Sequence, residues 1–235
     1  MALPLYLAMT ASEMSSTDHF PADFAYMACH FSPFSQGLSN LPTSLPRNTI
    51  LILNDNAPCQ GHSPSLVAHQ TKQILDQIPC ESLLLDFQRP PTPESEQMVQ
   101  AILSELPCPA ALPPAYGQNW DGPVFLPPCP LHIPQEEYLA AWKGREIWLE
   151  AALCQETVTI IKDGTAFIPQ FPPEGLDGGF YDEGLCCQYT IETTPEEIRF
   201  TLFDTRDSLQ QKLEKAHSLG VTRAVGLYQE LGQKW

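Results

Sequence analysis

The chain has few positive charges. It contains 12 Lys and Arg against 28 Asp and Glu, a formal net charge of −16 at pH 7. Proteins that bind nucleic acids or anionic membranes do so through clustered Lys and Arg, so we expect neither as a partner. With 43% hydrophobic and 17% charged residues, the composition is that of a folded chain with enough apolar side chains for a core.

Long apolar runs are also missing. No stretch reaches the roughly 18 apolar residues needed to span a bilayer. The apolar residues 1–9 lack the basic segment and the long hydrophobic segment of a secretion signal, so we interpret them as a first strand. These absences predict a cytoplasmic protein.

The eight cysteines include no Cys-x-x-Cys pair, and a disulfide framework is not expected in so long a chain without a secretion signal. Two Cys-x-x-His pairs, Cys59 with His62 and Cys129 with His132, contain four potential zinc ligands. We expect the pairs in loops on different sides of the fold. There is no Gly-x-Ser-x-Gly elbow and no phosphate-binding glycine loop. We therefore predict neither a metal site nor a cofactor.

Proline is abundant instead: 24 residues, many in Pro-Pro pairs beside apolar runs, typical of rigid loops between strands. Eight apolar runs predict β-strands, the number in a (β/α)8 barrel. They cover residues 5–9, 24–31, 49–54, 82–87, 110–113, 124–126, 146–153 and 224–228. Since such barrels occupy 200–250 residues, we predict one domain over residues 1–235.

Helix signals follow only some of these strands. Ser63-Pro64 and Thr92-Pro93 are N-cap and first-turn pairs, and they predict helices after the third and fourth strands. Further helices are predicted over residues 134–142 and 207–218, whereas residues 115–122 are predicted to be loop throughout.

Two antiparallel strand pairs are predicted between the seventh and eighth strands. One is a hairpin, residues 157–161 and 165–168, around an Asp163-Gly164 turn, and the other lies within residues 187–203. The expected fold is a reduced (β/α)8, TIM-like barrel, with short loops in place of several helices and hairpin insertions before the last strand.

Residues 82–87 end in the most informative side chains. Three leucines run into Asp86, and the period of two places Asp86 and Gln88 on one side of the strand, at the carboxyl end where such barrels carry their chemistry. The segment resembles the signature strand of family 18 glycoside hydrolases, the chitinases and spore-cortex glucosaminidases, Asp-x-x-Asp-x-Asp-x-Glu. Glu81, Leu84, Asp86 and Gln88 stand at its four positions.

A second resemblance lies near the C-terminus. Residues 203–212 are similar to the family's closing passage, aromatic-Asp-Asp-x-x-Ser-Leu-x-x-Lys, and a helix, Gly220 and a last strand follow, as in the family. That strand commonly carries a Trp that floors the sugar subsite, and Tyr228 is the matching aromatic. The preceding strand pair is similar to that of the spore-associated branch, which implies a sporulation context and a spore compartment as an alternative location.

The resemblance implies a degenerate family 18 protein that does not hydrolyse. In the family the substrate's acetamide attacks the anomeric carbon, and the motif Glu protonates the leaving oxygen. Here Gln88 has no acidic proton, Leu84 replaces an Asp that orients the acetamide, and Phe125-Leu126 replaces the usual Tyr-Asp. General acid catalysis contributes roughly 10²–10⁴-fold, so these departures predict lost turnover.

The implied partner is an amino-sugar oligosaccharide, such as a peptidoglycan fragment. An amide at position 88 can donate to and accept from sugar oxygens, and aromatic rings can stack on pyranose faces. The predicted substrate-binding residues are Asp86, Gln88, Tyr116, Trp120, Glu150 and Tyr228.

Two other functions remain open. If Glu150 points inward, Asp86 and Glu150 form the two-carboxylate pair of an ordinary glycosidase, and burial raises the pKa of the acid. An ion pair with Arg145 would give Glu150 a structural role instead. If proline-rich loops plug the barrel mouth, the protein is a scaffold or interaction protein with a vestigial pocket.

Overall fold

A computed structural model describes residues 2–17, 20–161, 164–171 and 178–232, with the backbone alone for residues 164–171. The elements, in chain order, are β1 (Leu5–Met9), α1 (Ala11–Ser16), β2 (Phe24–Phe31), β3 (Leu38–Ser39), β4 (Thr49–Asn54), α2 (Pro64–Gln77), β5 (Cys80–Asp86), α3 (Pro93–Ser104), β6 (Ala110–Ala111), α4 (Pro114–Gly117), β7 (Val124–Leu126), α5 (Gln135–Ala140), β8 (Ile147–Ala151), β9 (Gln155–Ile161), β10 (Gly164–Phe171), β11 (Phe180–Asp182), β12 (Cys187–Thr193), β13 (Glu197–Phe203), α6 (Arg206–Ser218), β14 (Val221–Leu227) and α7 (Tyr228–Leu231).

Eight parallel strands form the barrel, in the order β6-β5-β4-β2-β1-β14-β8-β7. The two ends of this sheet meet through a parallel bridge between Leu112 and Val124. There the Leu112 amide donates to the Pro123 carbonyl at 3.2 Å, and the Phe125 amide donates to the Leu112 carbonyl at 2.8 Å. Neighbours around the barrel follow the chain order, which confirms the predicted (β/α)8 topology.

Side-chain caps start the longer helices where the sequence predicts. Ser63 accepts from the Leu66 amide at the start of α2, and Thr92 and Thr205 form capping boxes at the starts of α3 and α6. The prediction of loop throughout residues 115–122 is wrong in one detail, because α4 (Pro114–Gly117) makes one short turn there. No longer helix covers the connection from β6 to β7, where the structure describes every residue.

The barrel interior is filled by side chains that alternate with those facing the helices. Its buried apolar cluster is Tyr6, Ala8, Ala25, Ile50, Ile52, Leu84, Ala111, Phe125, Trp148 and Val225. At the amino ends of the strands, the Arg223 guanidinium lies 4.7 Å from the Trp148 ring centroid and pairs with Glu81. This end is therefore closed, and open space lies at the opposite mouth.

A second, antiparallel sheet of order β10-β9-β13-β12-β11 lies between β8 and β14 in the sequence. It contains both predicted strand pairs, β9 with β10 and β12 with β13. Of the predicted Asp163-Gly164 turn, Asp163 lies outside the described residues. Within the described ranges, no helix has the length and apolar character to cross a membrane.

Candidate functional site

A cavity of about 210 Å³ opens at the carboxyl ends of the barrel strands. We call it the mouth cavity. Apolar side chains from six strands form its wall and floor, and five polar side chains complete it: Asn54, Asn56, Asp86, Gln88 and Glu150. Its volume is below the roughly 300–1,000 Å³ of sites for drug-sized ligands, so it has room for one sugar-sized group.

Asp86 and Gln88 meet in this cavity as the period of two predicts. The Gln88 side-chain amide donates to both Asp86 carboxylate oxygens, at 3.2 and 3.4 Å. Burial raises the pKa of Asp86, the hydrogen bond from Gln88 lowers it, and the charge of Asp55 raises it again, with a net rise. Leu84 lies one inward position below Asp86, where it adds apolar surface and no hydrogen bond.

Glu150 also points into the mouth cavity, from the barrel strand β8. Burial, and then the charges of Asp86 and Glu230, raise the pKa of Glu150 to about 7. Among the described residues no Lys, Arg or His forms an ion pair with it. The anticipated partner Arg145 donates instead to backbone carbonyls of the β6–β7 connection. Glu150 therefore has no ion-pair partner among the described residues, and its raised pKa favours retention of the proton up to about neutral pH.

Asp55, which sequence reasoning missed, positions Gln88. Its two carboxylate oxygens accept the backbone amides of Gln88 and Arg89, at 2.9 and 3.0 Å. The Arg89 guanidinium donates two hydrogen bonds in the opposite direction, to the backbone carbonyls of Asp55 and Asn56, at 2.8 and 2.9 Å. Asp55 is 7% exposed, and the polar run 54–56 after a buried strand was the available signal. These four bonds join the loops that follow β4 and β5.

Tyr228 does not line the mouth cavity, which corrects the expectation that it floors the site. Leu227 occupies the inward position at the end of β14, so the next residue points outward. Tyr228 begins α7, and its ring packs against apolar clusters on the outer side of the barrel and against Gly232.

Tyr116 and Trp120 lie elsewhere as well. They line a second cavity, of about 520 Å³, beside α3 on the outer side of the barrel. The Tyr116 hydroxyl donates to Ser95 Oγ at 2.9 Å, and the Trp120 indole N–H donates to the Ala110 carbonyl at 3.0 Å. The structure thus brings together Asp86, Gln88 and Glu150 of the six predicted residues, and it separates the three aromatic ones from them.

The other motif residues form structural contacts. Glu81 pairs with Arg223 at the closed end of the barrel, far along β5 from the mouth. Asp204, from the closing passage, accepts from Lys212 Nζ at 2.6 Å and from Ser208 Oγ at 3.1 Å, and all three are buried. Within the described ranges, no three His, Cys, Asp or Glu side chains are grouped so that they could hold a metal ion.

No family model matches the sequence. No curated protein matches it either. Among solved structures, the fold is similar to the spore cortex-lytic enzyme SleL from Bacillus cereus, with 11% identity and a TM-score of 0.52 over 99% of this chain and 72% of that one. SleL from Bacillus megaterium QM B1551 is similar at 10% identity and a TM-score of 0.53, over 99% of this chain and 71% of that one.

At this level of identity the likeness concerns the fold alone. The chain therefore has the fold of a (β/α)8 barrel with an additional antiparallel sheet.

Proposed function

We propose that the protein is a degenerate relative of family 18 glycoside hydrolases that binds an N-acetylglucosamine-containing glycan, such as peptidoglycan, in the mouth cavity without hydrolysing it. The observation that carries this proposal is the Gln88 amide, which lines the cavity and donates to Asp86. The sequence resemblance aligns this residue with the family's acid. This amide orients and binds, and it has no acidic proton to transfer.

The lining of the cavity supports recognition of one sugar unit. Three amide side chains, from Asn54, Asn56 and Gln88, and the carboxyl groups of Asp86 and Glu150 offer both donors and acceptors to hydroxyl and acetamide groups. The apolar wall, which includes Phe125, matches the C–H faces of a pyranose ring. The mouth cavity is open, which favours binding over the scaffold function, because a scaffold was expected to have proline-rich loops filling the barrel mouth.

The sporulation context of the proposal rests on the resemblance in the closing passage and on the fold likeness to two spore cortex-lytic enzymes. We propose that this chain binds a glycan of the same class, peptidoglycan, as a ligand. A cytoplasmic or spore-associated location belongs to the same proposal.

A second candidate function is glycoside hydrolysis by Asp86 and Glu150. The raised pKa of Glu150, about 7, favours it, because a carboxyl group that is protonated near neutral pH can act as a general acid. Asp86 would then be the partner carboxylate across the cavity, as in two-carboxylate glycosidases.

One experiment separates these functions. Purified protein is titrated calorimetrically with N-acetylglucosamine oligomers, and the same mixtures are analysed for shortened products. Saturable heat without products supports the binding function. Products that disappear with Glu150→Gln support the relocated carboxylate pair, and no heat and no products leave the scaffold function.

A further inference from the structure

The second cavity, beside α3, has the features of a binding site of its own. Its volume of about 520 Å³ falls within the roughly 300–1,000 Å³ typical of small-molecule sites. It exists because α4 provides only one turn where a barrel helix would otherwise cover the flank of α3. We call it the flank cavity, defined by Gln100, Ser104, Tyr116, Gln118, Asn119 and Trp120.

The wall of the flank cavity is held rigidly although it is mostly loop. The Arg145 guanidinium donates to the carbonyls of Gly117, Trp120 and Gly122. The Trp120 indole N–H donates to the Ala110 carbonyl, and the Tyr116 hydroxyl donates to Ser95 Oγ. Because both rings have their polar atoms occupied within the protein, their remaining surface in the cavity is apolar. A preordered wall lowers the entropic cost of binding.

Three amide side chains also line the flank cavity, Gln118 and Asn119 from the same loop and Gln100 from α3. Gln100, Gln118 and Asn119 are exposed, and none of their side chains forms a hydrogen bond among the described residues. An amide both donates and accepts, which suits hydroxyl groups that do the same. Among the described residues, the lining includes Glu96 but no Lys, Arg or His, so none of them would neutralise a phosphate or carboxylate ligand.

We infer that the flank cavity is a second binding site, for a neutral saccharide, separate from the mouth cavity. The Trp120 and Tyr116 rings provide apolar surface for the C–H face of a sugar ring, and the amides of Gln100, Gln118 and Asn119 bind its hydroxyl groups. This site does not depend on the mouth cavity, since the two share no lining residue.

The test is a ¹H–¹⁵N NMR titration of the whole chain with the disaccharide of N-acetylglucosamine. We expect saturable shifts of the Trp120 indole N–H and the Asn119 side-chain amide. Because each neutral hydrogen bond contributes about 0.5–1.5 kcal/mol, Gln100→Ala/Asn119→Ala should raise the dissociation constant read from the Trp120 indole signal roughly fivefold to hundredfold. Gln97→Ala, on the same helix but outside the cavity, is the matched control and should leave it unchanged.

Signals from Gln88 and Asn56 report on the mouth cavity in the same spectra, so failure of one site is distinguishable from failure of the other. The inference is overturned if the flank signals do not shift, if the double variant leaves their titration unchanged, or if glycerol at equal concentration shifts them equally. It is also overturned if they shift on raising the protein concentration alone, which would assign the flank cavity to a second copy of the chain.

Discussion

Lys212 Nζ lies 2.6 Å from Asp204 Oδ1, and both residues are buried, at 5% exposure each. Asp204 also accepts the Ser208 hydroxyl and the Cys154 amide, so the pair ties α6 to the segment that follows β8. Burial raises the pKa of Asp204 more than Lys212 lowers it. The pair therefore fixes the passage into α6 at a high desolvation cost.

Removing only the cation of this pair should strongly destabilise the fold. Lys212→Met leaves the Asp204 carboxylate buried without a counter-charge, which should cost about 3–5 kcal/mol of unfolding free energy in urea denaturation. The control is Lys72→Met, which removes the exposed pair with Asp76 at 3.1 Å and should cost less than about 1 kcal/mol. Equal effects of the two variants would contradict the structural role given to Asp204.

Glu150 should make stability depend on pH. Its pKa rises from 4.5 to about 7 on folding, so the folded state holds a proton that the unfolded state has lost between these values. Unfolding free energy should therefore fall as the pH rises from about 4.5 to 7, by about 1–3 kcal/mol after allowance for partial solvent exposure.

Glu150→Gln cannot ionise and should lack this fall. Its unfolding free energy should equal that of the wild type at pH 4 and exceed it at pH 8, as measured by urea denaturation at both values. Glu196→Gln, at an exposed position, should follow the wild type at both. A wild type whose stability is flat across this window would show that Glu150 ionises normally.

Asp55 should control the rigidity of the loop that carries Gln88. In Asp55→Asn, an NH₂ group replaces one of the two carboxylate oxygens and faces a backbone N–H. Two donors cannot bond to each other, so one of the two hydrogen bonds is lost. We expect faster hydrogen exchange at Gln88 and Arg89 and about 1–3 kcal/mol weaker glycan binding. Unchanged exchange at both amides, measured by NMR, would exclude this positioning role.

Gln88→Glu should not confer glycoside hydrolysis on the chain. The variant places an acid at position 88, but Leu84 still provides no hydrogen bond to an acetamide, and Phe125 still occupies the wall. We expect no products from N-acetylglucosamine oligomers with the wild type or with this variant, by chromatography. Turnover by Gln88→Glu alone would mean that the amide at position 88 is by itself what prevents hydrolysis.

The barrel and the polar half of the site follow from local sequence patterns. Apolar runs and helix caps such as Ser63 and Thr92 depend on nearby residues, and the period of two correctly places Asp86 beside Gln88. The inward orientation of Glu150 needed the structure, because residues on both sides of it in β8 are apolar and give no alternation.

The aromatic half was not predictable in the same way. Tyr228 lies one residue beyond Leu227, whose side chain points into the barrel. Successive residues of a strand point to opposite faces, so the Tyr228 ring lies on the outer face. Tyr116 and Trp120 follow a barrel strand, as site residues do, but their loop lies beside α3, and Arg145 donates to its backbone carbonyls. That contact spans more than 20 residues of sequence and has no local signal.

Calorimetric titration of the wild type with N-acetylglucosamine oligomers, with Asp86→Ala in parallel, tests the central claim most directly. We predict saturable heat for the wild type at millimolar ligand, no shortened products, and a dissociation constant raised roughly tenfold or more in Asp86→Ala, because Gln88 then loses the carboxylate that orients its amide. No heat from the wild type, or binding that is unaffected by Asp86→Ala, would contradict a glycan site in the mouth cavity.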